Sequence, residues 1–361
     1  MDTVFHSLND ARDILSCATV CSSWRYSSSA VYSSKFVPLL FVSHPSSAAD
    51  KETQFSDHFR VLSLDNLVFS GNDQRWICGS TGGCLLTLNV SFHFEVSLHN
   101  PFTNTVVSLP PLISFEDVQR LLQFQAISPH SGALTLIKEF VKKAVASKSL
   151  LDSDWVVLII YSTDGGKLGF CRRGDKQWTG LESADHIDDI VFCNGVFLAM
   201  DRTGVIYQCE LNPNDPKAVP LCTASPFRYD PCKKYFAESD NGKLWVVLQK
   251  LDVSEDFDFT TYFEIYEFNS ETKEWTTVRS LRGKALFLSP QGRCVAVLAG
   301  EAGTGGFVKD DSIYFIDGSP SLGPLNLSVF EWESKQVKKL LHQSRYCSLM
   351  FWVTPADVLQ R

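Results

Sequence analysis

Few residues in this sequence are typed and spaced for chemistry. His186 stands with Asp185, Asp188 and Asp189, all of them metal-ligating types. Asp188 and Asp189 open an apolar run, however, and a strand turns neighbouring side chains to opposite faces, so the group reads as structural. There are no paired histidines and no Cys-x-x-Cys to hold zinc. The glycines of GEAGTGG (300–306) suggest a phosphate loop, but Phe307 and Val308 follow where a Lys-Ser/Thr pair must reach phosphate and magnesium. No Ser/His/Asp or Cys/His set and no Gly-x-Ser-x-Gly elbow is legible. A glycosidase-like carboxylate pair can be drawn by chance from 41 acidic residues and so carries little weight. The expectation is a protein that is not an enzyme, with no catalytic residues, no metal and no cofactor.

Two features suit binding better than catalysis. Trp178 and Trp275 could stack on a ligand, but they recur at one position of a repeat, which favours core packing. Asp252, Glu255, Asp256 and Asp258 form an acidic stretch with Phe257 among them. Its simplest reading is a solvated insertion. Its functional reading is a contact for a basic surface on a bound protein, since apolar anchors in a charged rim suit a transient interface.

The elements that position these residues repeat. In FEIYEFNSETKEWTTVRSL (263–281), Asn269 is followed six residues later by Trp275 and nine later by Val278. The same frame runs Asn100, Val106, Leu109; then Arg172, Trp178, Leu181; then Asn212, Ala218, Leu221; then Glu331, Val337, Leu340. These are five copies of one hairpin, separated by 72, 40, 57 and 62 residues. A second hairpin precedes several of them: Trp76–Leu88, Ile190–Met200, Tyr235–Val247 and Leu286–Val297, each with Gly at its turn. Two hairpins make one four-stranded blade, so the spacing predicts a mainly β fold, a β-propeller of repeated antiparallel hairpins. The alternative is a β-sandwich with coincidental hairpins. Apolar runs such as Trp245–Leu248 predict strands buried on both faces. The long first interval leaves room for a helix at Ser114–Phe124, a helix or loop at Lys138–Ser153 and a divergent hairpin around 128–137, so the count is five or six blades. PLLFVSH (38–44) and FRVLSLD (59–65) read as strands that begin the first blade, and Tyr346–Val353 as a last strand able to pair with Pro38–Val42.

With 361 residues and 44% hydrophobic composition the chain can bury a sizeable core. A net charge of −8 argues against nucleic acid as a partner. No signal peptide and no apolar run of membrane-spanning length is present, so no membrane partner is expected. The eleven cysteines, scattered through apolar strands, read as buried thiols in a reducing compartment, cytoplasmic and/or nuclear. The sequons at Asn89 and Asn326 would then stay unmodified.

Residues 1–33 differ from the repeat. Asn9 or Asp10 can cap a helix whose apolar positions are Ile14, Cys17, Ala18, Cys21 and Trp24. At DARDILSCATVCSSWR the chain resembles the C-terminal half of an F-box, on Val20, Cys21, Trp24 and Arg25. The first F-box helix, opening with Leu-Pro, has no counterpart, so a truncated or degenerate F-box is expected. From Trp76 on, GSTGGCLLTL, LHNPFTNTVVSLPPL, IDDIVFCNGVFLAMDRTG, YFAESDNGKLWVVL and DDSIYFID, in this order, resemble a plant family of F-box proteins with a KIB-type β-propeller. The resemblance implies partial F-box helices at 1–33 and a propeller at 34–355. It also implies a substrate-recognition subunit of an SCF-type ubiquitin ligase. Ile14, Leu15, Val20, Cys21, Trp24 and Arg25 would meet a Skp-type adaptor and, through it, a cullin. The competing expectations are a propeller interaction module without ligase recruitment and, more remotely, a propeller enzyme.

Overall fold

Leu39–Ser43 (β1) and Val61–Ser63 (β2) pair in parallel. They do not begin the repeat, as their apolar pattern suggested, because parallel neighbours need a long connection and are not one half of a meander. The structure is a computed structural model and describes residues 23–24, 39–43, 61–63, 75–89, 94–100, 105–127, 132, 136–137, 139–147, 153–162, 165–182, 186–222, 225–227, 232–238, 243–253, 258–292, 294–298, 308–317, 325–342 and 349–353. Two units are distinguished: 69–229, and 1–68 with 230–361.

The first unit holds three four-stranded antiparallel meanders. Sheet I is β3 (Arg75–Thr81), β4 (Cys84–Asn89), β5 (Glu95–His99) and β6 (Val106–Leu109). A short 3-10 turn and α1 (Glu116–Ile127) follow, matching the expected helix. Sheet II is β7 (Val141–Ala146), β8 (Val156–Tyr161), β9 (Lys167–Arg172) and β10 (Thr179–Gly180). Sheet III is β11 (Ile187–Cys193), β12 (Val196–Asp201), β13 (Ile206–Glu210) and β14 (Lys217–Cys222). β7 corrects the helix-or-loop reading of Lys138–Ser153. Adjacent Lys142 and Lys143 disguised the strand, and Lys143 is buried only because another sheet neutralises it. Within the expected divergent hairpin, Leu136 and Ile137 are helical; most of its other residues lie outside those described.

In the second unit, sheet IV is β15 (Cys232–Glu238), β16 (Leu244–Val253), β17 (Asp258–Phe268) and β18 (Trp275–Thr277). Sheet V has five strands, β19 (Lys284–Phe287), β20 (Val295–Leu298), β21 (Ser312–Asp317), β22 (Asn326–Glu331) and β23 (Gln336–His342). Here β19 pairs antiparallel with β20 but parallel with β21. Finally β24 (Leu349–Val353) pairs antiparallel with β1, Leu40 opposite Trp352, as the last apolar run predicted. All five hairpins of the frame are present as the third and fourth strands of a meander, or as β22 and β23 in sheet V. The turn glycines Gly83 and Gly195 take φ of 70° and 81°, a region closed to most side chains.

Among the described residues, four apolar clusters hold the sheets. One lies between sheets I and II and another between II and III. The third lies between IV and V, and the fourth between V and the β1/β24 sheet. Alternation decides which cluster a residue joins: Val157 and Ile159 face sheet I, whereas Leu158 and Ile160 face sheet III. Both faces of β8 are thus dry, which is why its sequence is continuously apolar.

Trp352 is 1% exposed and meets Phe287 edge-on at 4.9 Å. Trp352→Ala should cost about 3–5 kcal/mol, the usual penalty for deleting a buried indole. Urea unfolding followed on the isolated variant checks this; a loss under about 1 kcal/mol would mean that β24 is not docked in solution.

Candidate functional site

In sheets III to V the first residue of the frame starts a turn, and its side chain accepts hydrogen bonds there. Asn212 Oδ1 accepts the Asn214 N–H at 3.1 Å. Asn269 Oδ1 accepts the N–H groups of Glu271 (2.9 Å) and Thr272 (3.2 Å), while Lys273 takes φ of 62° and its N–H reaches Asn269 O. Such Asx turns explain the recurring Asn. Glu331 occupies the equivalent position in sheet V and accepts from Lys309 (2.8 Å), Lys338 (2.7 Å) and Ser334 (3.1 Å). The two lysines pull its carboxyl down to about 2.

Sheet II departs from this rule. Arg172 stands at the frame position, and the capping role passes to Asp175, whose Oδ2 accepts the Arg172 N–H at 2.8 Å. Arg172 Nη2 instead donates to Leu211 O at the start of the next sheet's turn. Its guanidinium lies 4.8 Å from the centre of the Phe170 ring.

The acidic stretch is less of a loop than its composition suggested. Asp252 and Asp258 are in strands, paired Asp252 with Phe259 and Val253 with Asp258. β15 ends its pairing at Lys250 and β18 reaches only Tyr266, so β16 and β17 continue as a two-stranded ribbon beyond the rest of sheet IV. The Phe/Tyr/Thr-rich sequence 259–263 favours extended chain, which a count of charges alone concealed. Glu255, Asp256 and Phe257 lie outside the described residues, as do Ile14, Leu15, Val20, Cys21 and Arg25. Trp24 is half-buried in a helical segment with Ser23. Of GEAGTGG and the residues after it, only Val308 and Lys309 are described up to Asp310.

Buried polar groups form two constellations that the sequence did not announce. Lys143 and Asp189 are 3% and 1% exposed and make an ion pair between sheets II and III. Each follows a β-bulge, between Val141 and Lys143 and between Ile187 and Asp189; a third bulge lies between Ile77 and Gly79 in the first strand of sheet I. A bulge re-aims the following side chain, and here it points two opposite charges at each other. The structural reading of Asp188 and Asp189 is therefore specific. Elsewhere Tyr235 Oη donates to Gln249 Oε1 (2.8 Å), Gln249 Nε2 to Thr260 Oγ1 (2.7 Å) and Thr260 Oγ1 to Asp317 Oδ1 (2.8 Å), joining sheet IV to sheet V. Trp178 packs between sheets, its Nε1 donating to Pro110 O at 2.7 Å. Trp275 lies against Phe268 of its own sheet at 4.8 Å. Among the described residues no three His, Cys, Asp or Glu side chains converge as for a metal.

Successive mainly antiparallel sheets that share dry faces within each unit are blades of the β-propeller class. The chain belongs to the KIB1-4 beta-propeller family, whose model matches residues 53–333. It is 66% identical over 366 residues to "Putative F-box protein At5g55150" of Arabidopsis thaliana, covering 100% of this chain and 96% of that one. It is 26% identical to "F-box protein At2g26160" (84% and 89% covered) and 23% identical to "F-box protein SKIP23" (98% and 92%), both of Arabidopsis thaliana.

Breaking the buried pair is expected to cost far more than removing it. Lys143→Met alone should destabilise by about 3–5 kcal/mol, and adding Asp189→Leu should recover most of that, as measured by urea unfolding. Equal losses in the single and double variants would show that the ions are solvated. For Glu331 the folded carboxyl titrates below its ordinary value of 4.5, so its contribution is present above 4.5 and lost as pH falls toward about 2. Its side-chain carbon resonance should titrate below those of solvent-facing glutamates, and the stability difference of Glu331→Gln should shrink below pH 4.5. A resonance titrating at 4.5 would mean that Lys309 and Lys338 do not engage it.

Proposed function

We propose that this protein is the substrate-recognition subunit of an SCF-type (Skp–cullin–F-box) E3 ubiquitin ligase. Residues 1–33 dock a Skp-type adaptor, which brings the cullin, and the loops and turns of the blades hold the target protein. The observation that carries this reading is the end-to-end similarity to a protein named as an F-box protein, at 66% identity, joined to the VCSSWR segment at 20–25. The chain itself performs no bond-breaking step; it acts by holding the target near the ligase chemistry, which is catalysis by proximity. Because blade faces are consumed by packing, recognition falls to turns and projecting ribbons. The ribbon end around Asp252 and Asp258, with Glu255, Asp256 and Phe257 between them in sequence, is the proposed contact for a basic target surface.

A cytoplasmic or nuclear setting fits the cysteines. All eight described ones are free thiols, and burial pushes Cys78 and Cys209 up to about 12, which keeps them unreactive.

Adaptor capture tests the proposal. A tagged full-length chain should retain a purified Skp-type adaptor, and Trp24→Ala should abolish retention, since deleting a packed indole costs about 3–5 kcal/mol and a half-sized helical unit has little to spare. The blades' thermal transition should not move. A lowered transition with adaptor binding intact would make 1–33 a cap on the propeller, and an interaction module without ligase recruitment would be the better description.

A further inference from the structure

The repeat rule fails at one turn, and a pocket lies there. Among the frames of sheets II to V, only that of sheet II begins with a residue whose side chain accepts no hydrogen bond at its own turn. A pocket of about 340 Å3 opens beside it, lined by Phe170, Arg172, Asp175, Lys176, Gln177 and Pro213. Phe170 is wholly buried and gives the pocket an aromatic floor. Arg172 is held in place twice, by that ring and by the Leu211 carbonyl, which occupies one of its five N–H donors. Neither Arg172 nor Lys176 has a carboxylate partner among the described residues, although the chain carries 41 acidic residues against 33 basic ones. Asp175 contributes the opposing charge, but its Oδ2 is engaged by the Arg172 backbone.

Natural repeats break a local rule where something else is gained. A latch to Leu211 alone does not need a guanidinium beside a solvent-open pocket. A preorganised guanidinium over an aromatic ring, with a lysine nearby, is the arrangement that reads a carboxylate with geometric specificity. We infer that this pocket, at the junction of blades II and III, binds a glutamate or aspartate side chain of a target protein. The planar guanidinium fork matches the two oxygens of a carboxylate. This inference rests on the reading of the chain as a target-binding subunit and names a surface for it that is separate from the acidic ribbon.

The test uses the full chain and fluorescein-labelled octapeptide pools with random flanks and one fixed central residue: glutamate, glutamine or phosphoserine. Fluorescence anisotropy should show the glutamate pool bound about tenfold more tightly than the glutamine pool, the scale of one charge-assisted pair. Arg172→Gln should erase the preference. Lys176→Gln, which leaves the contact to Leu211 untouched, should weaken it while the thermal transition stays at the wild-type value. Equal binding of the glutamate and glutamine pools overturns the inference, as does a preference that survives both substitutions. A stronger response to phosphoserine would overturn the choice of carboxylate. Adaptor capture measured on the unsubstituted chain separates the two readings: no glutamate preference with the adaptor retained removes only the pocket, and no adaptor capture with the glutamate preference intact removes only the ligase role.

Discussion

Burial of both faces of one central strand in each blade, β4, β8, β12, β16 and β21, is the constraint from which the rest of this structure follows. β8 shows it most plainly, with Val157 and Ile159 against sheet I and Leu158 and Ile160 against sheet III. A fully buried aliphatic side chain contributes about 1.5–3 kcal/mol, so a strand that fills two clusters at once is worth far more than one with a wet face. The same arrangement sets what may be polar inside. A charge between two blades must meet its opposite there, as Lys143 meets Asp189, and a hydroxyl must join a chain such as Tyr235–Gln249–Thr260–Asp317. These polar links fix how neighbouring blades register, which apolar contacts, being non-directional, do not.

With the faces consumed, variation that serves recognition is confined to turns, strand ends and outer edges. Sheet IV extends β16 and β17 past their neighbours, and sheet II exchanges the turn-capping residue for an arginine. Both changes leave the clusters intact. A propeller can thus acquire new binding surfaces by altering residues that contribute little to its stability.

The repeat was legible because it is local. Five hairpins share one spacing, turn glycines mark the preceding hairpins, and the apolar run 346–353 marked a closing strand that does pair with β1. The helix α1 was readable from its own composition, with Glu116 and Asp117 in its first turn. What failed was local evidence pointing the wrong way. Two lysines hid β7, charge density made a loop of residues that are strand, and two early apolar segments looked like the start of a blade.

The sequence by itself determined the hairpins, their turns, the dry character of the central strands and the family to which they belong, because each depends on residues a few positions apart. Tertiary structure alone decided the pairing of Lys143 with Asp189, 46 residues later in the chain, the parallel step between β19 and β21, and the reach of Arg172 to Leu211. Bulges that shift a register by one residue leave no periodic signal, and a buried charge is indistinguishable from a solvated one until the sheet that neutralises it is in place.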